Sequence, residues 1–160
     1  MREIERSLES LSAEDATVQR LRTISGVGLM VSTALRTAVS DIHRFRSGRH
    51  LSCWMSVTPR EHSSGEKRRL GAISKMGGVY LRIQPTHGAR AAPLAAKDAA
   101  GKGLYLDRLR RRALETEKRV GHNKAVIALA NMLVRIMWAT WRHGRAFLAI
   151  GRDVQRNAVT

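Results

Sequence analysis

The stretch from Asn123 to Gly144, NKAVIALANMLVRIMWATWRHG, constrains the fold of this chain more than any other. Ile127, Ala130, Val134, Met137 and Trp141 recur at helical spacing, and Leu129, Leu133 and Ile136 widen the stripe. A stripe that broad must be covered by other elements, so it predicts a core helix. Asn123 offers an N-cap and Gly144 a stop. No segment shows the alternation of a sizeable sheet, and the expected class is mainly α.

Around this helix the sequence predicts others. Residues 2 to 22 read as one helix with a narrow stripe at Ile4, Leu8 and Leu11, which suits a coiled-coil seam. Residues 43 to 56 read as another, with Cys53 as a small buried apolar residue. Pro59 ends it, and 61 to 78, EHSSGEKRRLGAISKMGG, follows as a loop or short hairpin. A helix from Gly78 to about Ala96 is expected to kink near Pro85, because an interior proline costs about 3 kcal/mol or more. A charged helix follows the flexible GKG, and residues 145 to 160 read as a flexible tail.

Charge narrows the partner. Lysine and arginine number 29 against 13 acidic residues, a formal net charge of +16 on 160 residues. Such an excess favours a polyanion, with nucleic acid first and an anionic membrane surface second. Hydrophobic residues make up 43%, too many for a disordered basic tail. One cysteine excludes an internal disulfide. The six histidines form no ligand pattern, so no metal site is expected. No apolar run approaches the roughly 20 residues of a membrane span, and the charged N-terminus carries no secretory signal. A cytoplasmic protein is expected.

Two segments carry chemistry. In LRTISGVG, the positions of Leu21, Ile24, Gly26, Val27 and Gly28 match a helix-hairpin-helix pattern. The glycines permit a tight turn, and Gly28 leads into a helix whose free N–H groups suit a DNA phosphate. In the second, Lys67, Arg68, Arg69 and Lys75 concentrate charge around Ser63, Ser64 and Gly65. Clustered cations help a serine attack phosphorus by stabilising the oxyanion that develops. Taken without context, the same residues read as a solvated loop. His62 stands close enough in sequence to act as a base, or as an exposed loop residue.

The blocks LRTISGVG, HRFRSGRHLSCWMSVTPREHSSGEKRRLGAISKMGGVYLR, HGARAA and GHNKAVIALANMLVRIMWA occur in order over residues 18 to 143. They resemble the C-terminal domain of the DEDD-type insertion-sequence transposases of family one-ten, which are RNA-guided serine recombinases. The resemblance implies 1–17 as the end of an interdomain coiled coil, 18–97 as the transposase C-terminal domain, 98–144 as a helical extension and 145–160 as a tail. It implies a compact helical domain containing the helix-hairpin-helix, with the coiled-coil remnant before it. The serine nucleophile falls on Ser64, with Ser63 as the alternative. Gly71, Ile73, Ser74, Lys75 and Gly77 match a family block, and YLR places Arg82; Lys75 and Arg82 then become phosphate contacts. The sequence departs from the family at Ser25, Ser56, Pro85 and Met132, where the family commonly has Pro, Gly, an apolar residue and Lys.

What the resemblance implies is half of a composite active site. The family's other half is a RuvC-like domain with four acidic residues, and no such quartet can be assembled from the acidic residues here. Mg2+ is therefore expected only with that domain, and the chain reads as N-terminally truncated and inactive alone. Double-stranded DNA, a guide RNA and further transposase subunits are the implied partners, at the nucleoid. The alternatives are a non-catalytic helix-hairpin-helix module that binds DNA, and an RNA-binding module. Aromatics at 4% argue against single-strand stacking.

Overall fold

The structure, a computed structural model, describes residues 2–64, 69–74, 77–104 and 106–147. Its elements in order are α1 (Arg2–Ser12), α2 (Ala16–Arg22), α3 (Leu29–Ala38), a 3-10 turn (Ile42–Arg44), α4 (Gly48–Trp54), β1 (Pro59–Glu61), β2 (Leu70–Ile73), α5 (Val79–Gly101), α6 (Arg108–Val120) and α7 (His122–His143). The mainly α class holds, with one two-stranded antiparallel sheet described.

The central element is α7. Leu129, Ala130, Leu133, Val134 and Met137 are buried, and α2, α4, α5 and α6 pack around them. Leu21, Ile24, Leu35, Leu51, Met55 and Val57 complete the core. Ile127, Ile136 and Trp141 sit half-buried at the margins of the stripe. Gly144 ends the helix in the left-handed region at φ 62°. The start differs from expectation: Gly121 holds the N-cap position at φ 80°, and Asn123 lies inside the helix. Against the expectation of no spanning segment, α7 is long and apolar enough to cross a membrane, with mean hydropathy 1.2 over an 18-residue window. Here its apolar stripe is enclosed by the surrounding helices.

Four further expectations change. The helix expected over residues 2 to 22 is broken, because Asp15 caps a new helix by accepting from the N–H groups of Thr17 and Val18. Burial opposes the Asp15 charge, but the Val18 and Thr17 N–H groups and Arg36 outweigh it and hold its carboxyl below the ordinary range. Ser47 starts α4 later than residue 43, and Cys53 is exposed, because α4 turns Leu51 and Ser52 inward. Instead of stopping near Ala96, α5 continues for 23 residues through Pro85 and Pro93. Both prolines are buried, so their rings contribute packing that offsets the hydrogen bonds they cannot donate.

Candidate nucleic-acid interface

The serine segment is a β-hairpin. β1 and β2 pair with Pro59 opposite Ile73 and Glu61 opposite Leu70, with an irregularity between. Pro59 lies at the first position of its strand, where its missing donor costs least. His62 N–H donates to the Arg69 carbonyl at 2.8 Å and closes the described part of the hairpin. The His62 ring lies where a Cβ on Gly71 would meet it, at 3.2 Å from Cδ2, so Gly71 leaves room for this ring.

The two serines are not equivalent. Ser63 Oγ donates to Glu61 Oε1 at 2.9 Å and accepts from the Arg69 N–H at 3.1 Å. That hydroxyl is committed to holding the hairpin. Ser64 is exposed, and no hydrogen bond of its hydroxyl occurs among the described residues. Arg69 is exposed, its backbone N–H on Ser63, and Arg60 Nη2 donates to the Ser74 carbonyl at 3.1 Å. Lys67, Arg68 and Lys75, expected to crowd around the serines, lie outside the described residues, as does Gly65.

A backbone clamp fixes the hairpin to the helical body. Ser56 adopts φ 56°, the left-handed conformation that glycine adopts without Cβ strain. Its hydroxyl accepts from the Gly77 N–H at 2.6 Å. A Cβ on Gly77 would run into that hydroxyl and sit 2.7 Å from the Trp54 carbonyl. On the other side, Asn131 of α7 reaches Thr58 Oγ1 at 3.3 Å and the Val57 carbonyl at 3.4 Å.

The glycine turn joins α2 to α3. Leu21, Ile24 and Val27 are buried, and Gly26 takes φ 89°. The expected site residues of this turn divide. Gly26 and Val27 face inward: a Cβ on Gly26 would lie 3.0 Å from the Gly88 carbonyl of α5, and one on Gly88 would strike the Gly26 carbonyl. Only Gly28 is exposed, at the N-cap of α3, with open space around its Cβ direction and no side-chain cap. Helix α5 links the two segments. Gly78 caps it beside the hairpin, and Gly88 meets the turn ten residues on, about 15 Å along a helix. Arg82 lies between them, and its Nη1 is buried with no hydrogen-bond partner.

Charge is distributed unevenly. Arg36 pairs with Asp15 at 2.9 Å and Arg22 with Glu9 at 3.2 Å, away from the hairpin. A cleft of about 1100 Å³ separates the hairpin from α7, bounded by Thr58, Glu61, Gly71 and Asn131 and by Arg49 and Arg135. The sequence did not single out those last two arginines. Both line this cleft because Gly48 lets α4 press onto α7, where a Cβ would lie 2.9 Å from Arg135 Cα. No local signal encodes that approach. Among the described residues no group of three or more His, Cys, Asp or Glu could hold a metal ion.

Residues 18–105 match the model of the transposase IS116/IS110/IS902 family. A probable family 20 transposase of Pseudomonas aeruginosa is 36% identical over 137 residues, 85% of this chain and 38% of that protein. The transposase for insertion sequence element IS1111A of Coxiella burnetii is 39% identical over 136 residues, 84% of this chain and 35% of its own length. The transposase for IS1328 of Yersinia enterocolitica is 33% identical over 152 residues, 91% and 42% respectively. The chain thus spans well under half the length of these relatives.

Proposed function

Since the chain belongs to the transposase IS116/IS110/IS902 family, we propose that it is the DNA-binding, strand-exchange part of a transposase and that Ser64 is its nucleophile. The observation that carries this reading is the division of labour between the serines. Ser63 is tied to Glu61 and Arg69, while Ser64 is exposed and its hydroxyl makes no hydrogen bond among the described residues. In the proposed step the Ser64 hydroxyl passes its proton to water, its oxygen bonds to phosphorus, and a deoxyribose oxygen departs with the electron pair of the broken ester and takes up a proton from water. Cations around the hairpin stabilise the charge that accumulates on the phosphoryl oxygens. Arg82 supports phosphate binding through its unsatisfied buried Nη1. The N–H groups at the start of α3, behind Gly28, form a helix-hairpin-helix phosphate contact in this reading.

The described residues do not provide a site for the Mg2+ that the family resemblance implies. The metal belongs in this reading to an acidic RuvC-like domain, and no step here passes through it. A guide RNA and further transposase subunits are the other proposed partners, with the nucleoid as the place of action. Leu11 of α1, 80% exposed, supports self-association through a coiled coil.

The test supplies the acidic domain and guide RNA to this chain and looks for covalent protein–DNA product. Ser64→Ala should abolish the product and Ser63→Ala should reduce it only through loosening of the hairpin. Product that survives Ser64→Ala and vanishes with Ser63→Ala would reverse the assignment. The second reading is a non-catalytic DNA-binding module, favoured by the open N-terminus at Gly28. It is the correct one if duplex DNA binds and no covalent product forms under any of these conditions.

A further inference from the structure

A second groove, of about 1300 Å³, lies between α4, α6 and α7. Arg49, Arg108, Arg112, Arg135, His143 and Arg145 line it. No acidic residue does so among the described residues, and none of the five guanidinium groups has a carboxylate partner there. All five arginines are exposed. This contrasts with Arg22, Arg36 and Arg110, each of which reaches an Asp or Glu. Five unpaired cations on one concave surface repel one another, and a bound polyanion removes that repulsion.

We infer that this groove holds the phosphate backbone of duplex DNA on its way to or from the serine hairpin. The inference rests on the reading of the hairpin as a DNA-exchange site. Continuity supports it first. Arg49 and Arg135 belong both to this groove and to the cleft beneath the hairpin, so the two form one cationic track. Spacing supports it too. Arg108 and Arg112 stand four residues apart on α6, about 6 Å along the axis. Two nucleotides of one B-DNA strand rise about 7 Å. Strandedness follows from the aromatic residues. Single-strand tracks use rings free to stack on bases. The two aromatic residues that line this groove are otherwise engaged: Trp138 donates its indole N–H to the Phe45 carbonyl at 3.0 Å and meets the His143 ring edge-on, and Phe147 packs against the hydrophobic core. Four of the five arginines lie beyond residues 18–105, the part matched by the family model.

The experiment measures equilibrium binding of a labelled blunt duplex DNA to the full chain across a salt series. Arg108→Gln/Arg112→Gln and Arg49→Gln/Arg135→Gln are compared with the unaltered chain. Each released phosphate contact contributes about 0.9 to the slope of log K against log salt. Each double variant should therefore flatten the slope by about 2 and weaken binding at low salt. Arg108→Lys/Arg112→Lys keeps the charge and should restore the slope, which separates lost contacts from lost structure. Slopes and affinities equal to those of the unaltered chain would overturn the groove while leaving the serine reading intact. The groove is overturned as well if the variants lose affinity only for a structured RNA. Failure of the unaltered chain to bind duplex DNA would overturn both.

Discussion

A methyl group at position 77 has no space. It would meet Ser56 Oγ and lie 2.7 Å from the Trp54 carbonyl oxygen. Gly77→Ala must therefore move backbone, and overpacking of this kind costs roughly 1–3 kcal/mol. Urea denaturation should show that loss. Adding Ser56→Gly relieves the hydroxyl contact and the positive φ of Ser56, but leaves the Trp54 carbonyl in place, so recovery should be partial. An unchanged midpoint in Gly77→Ala would mean that this clamp does not hold the hairpin to the body. Serine at 56 is thus a residue whose left-handed backbone is sustained by the hydrogen bond its hydroxyl accepts from the Gly77 N–H.

Helix α3 begins without a side-chain cap, at a residue whose backbone, φ −88° and ψ −172°, accepts any side chain. Gly28→Ser places a hydroxyl where it can accept from the first-turn N–H groups. The preference for serine over glycine at an N-cap amounts to a few tenths of a kcal/mol, so stability should hold or rise slightly. If those N–H groups bind a phosphate, the new hydroxyl competes for them and duplex affinity should fall about five- to tenfold, near 1–1.4 kcal/mol. Unchanged affinity would exclude this helix end as a contact. Elements with strong local signals were legible in the sequence: the α7 stripe, the turn at Gly26 and Gly28, and the hairpin after Pro59. Elements set by tertiary contact were not. Asp15 breaks the first helix, yet it stands within a run already rich in charge. Seven residues of α4 are too few for periodicity to show that Cys53 faces out. The prolines of α5 read as breakers until their burial is seen. Of the candidate site, the glycine turn ending at Gly28 was legible, the choice of Ser64 over Ser63 came only from the family resemblance, and the placing of Arg49 and Arg135 on one cleft was not legible, because a close helix approach at Gly48 sets it.

The whole molecule carries +16 on 160 residues, and its acidic partners serve only part of that charge. Self-repulsion of this size opposes the compact state. Salt screens it, since the Debye length falls from about 30 Å at 0.01 M to about 8 Å at 0.15 M. The melting temperature of the free chain should therefore rise by several degrees over that range, where about 1 kcal/mol shifts a domain of this size by about 2–4 °C. With excess duplex DNA the sign should reverse. Binding to the folded state alone stabilises it in proportion to the logarithm of ligand concentration over Kd. Salt raises Kd steeply for a partner held through phosphates, so that stabilisation shrinks as salt increases. Thermal unfolding followed by circular dichroism, with and without DNA at both salt concentrations, separates the two effects. Opposite slopes are expected because one excess of charge drives both. Parallel slopes would mean that the excess is spread over the surface and that neither the hairpin nor the arginine groove gathers it onto DNA.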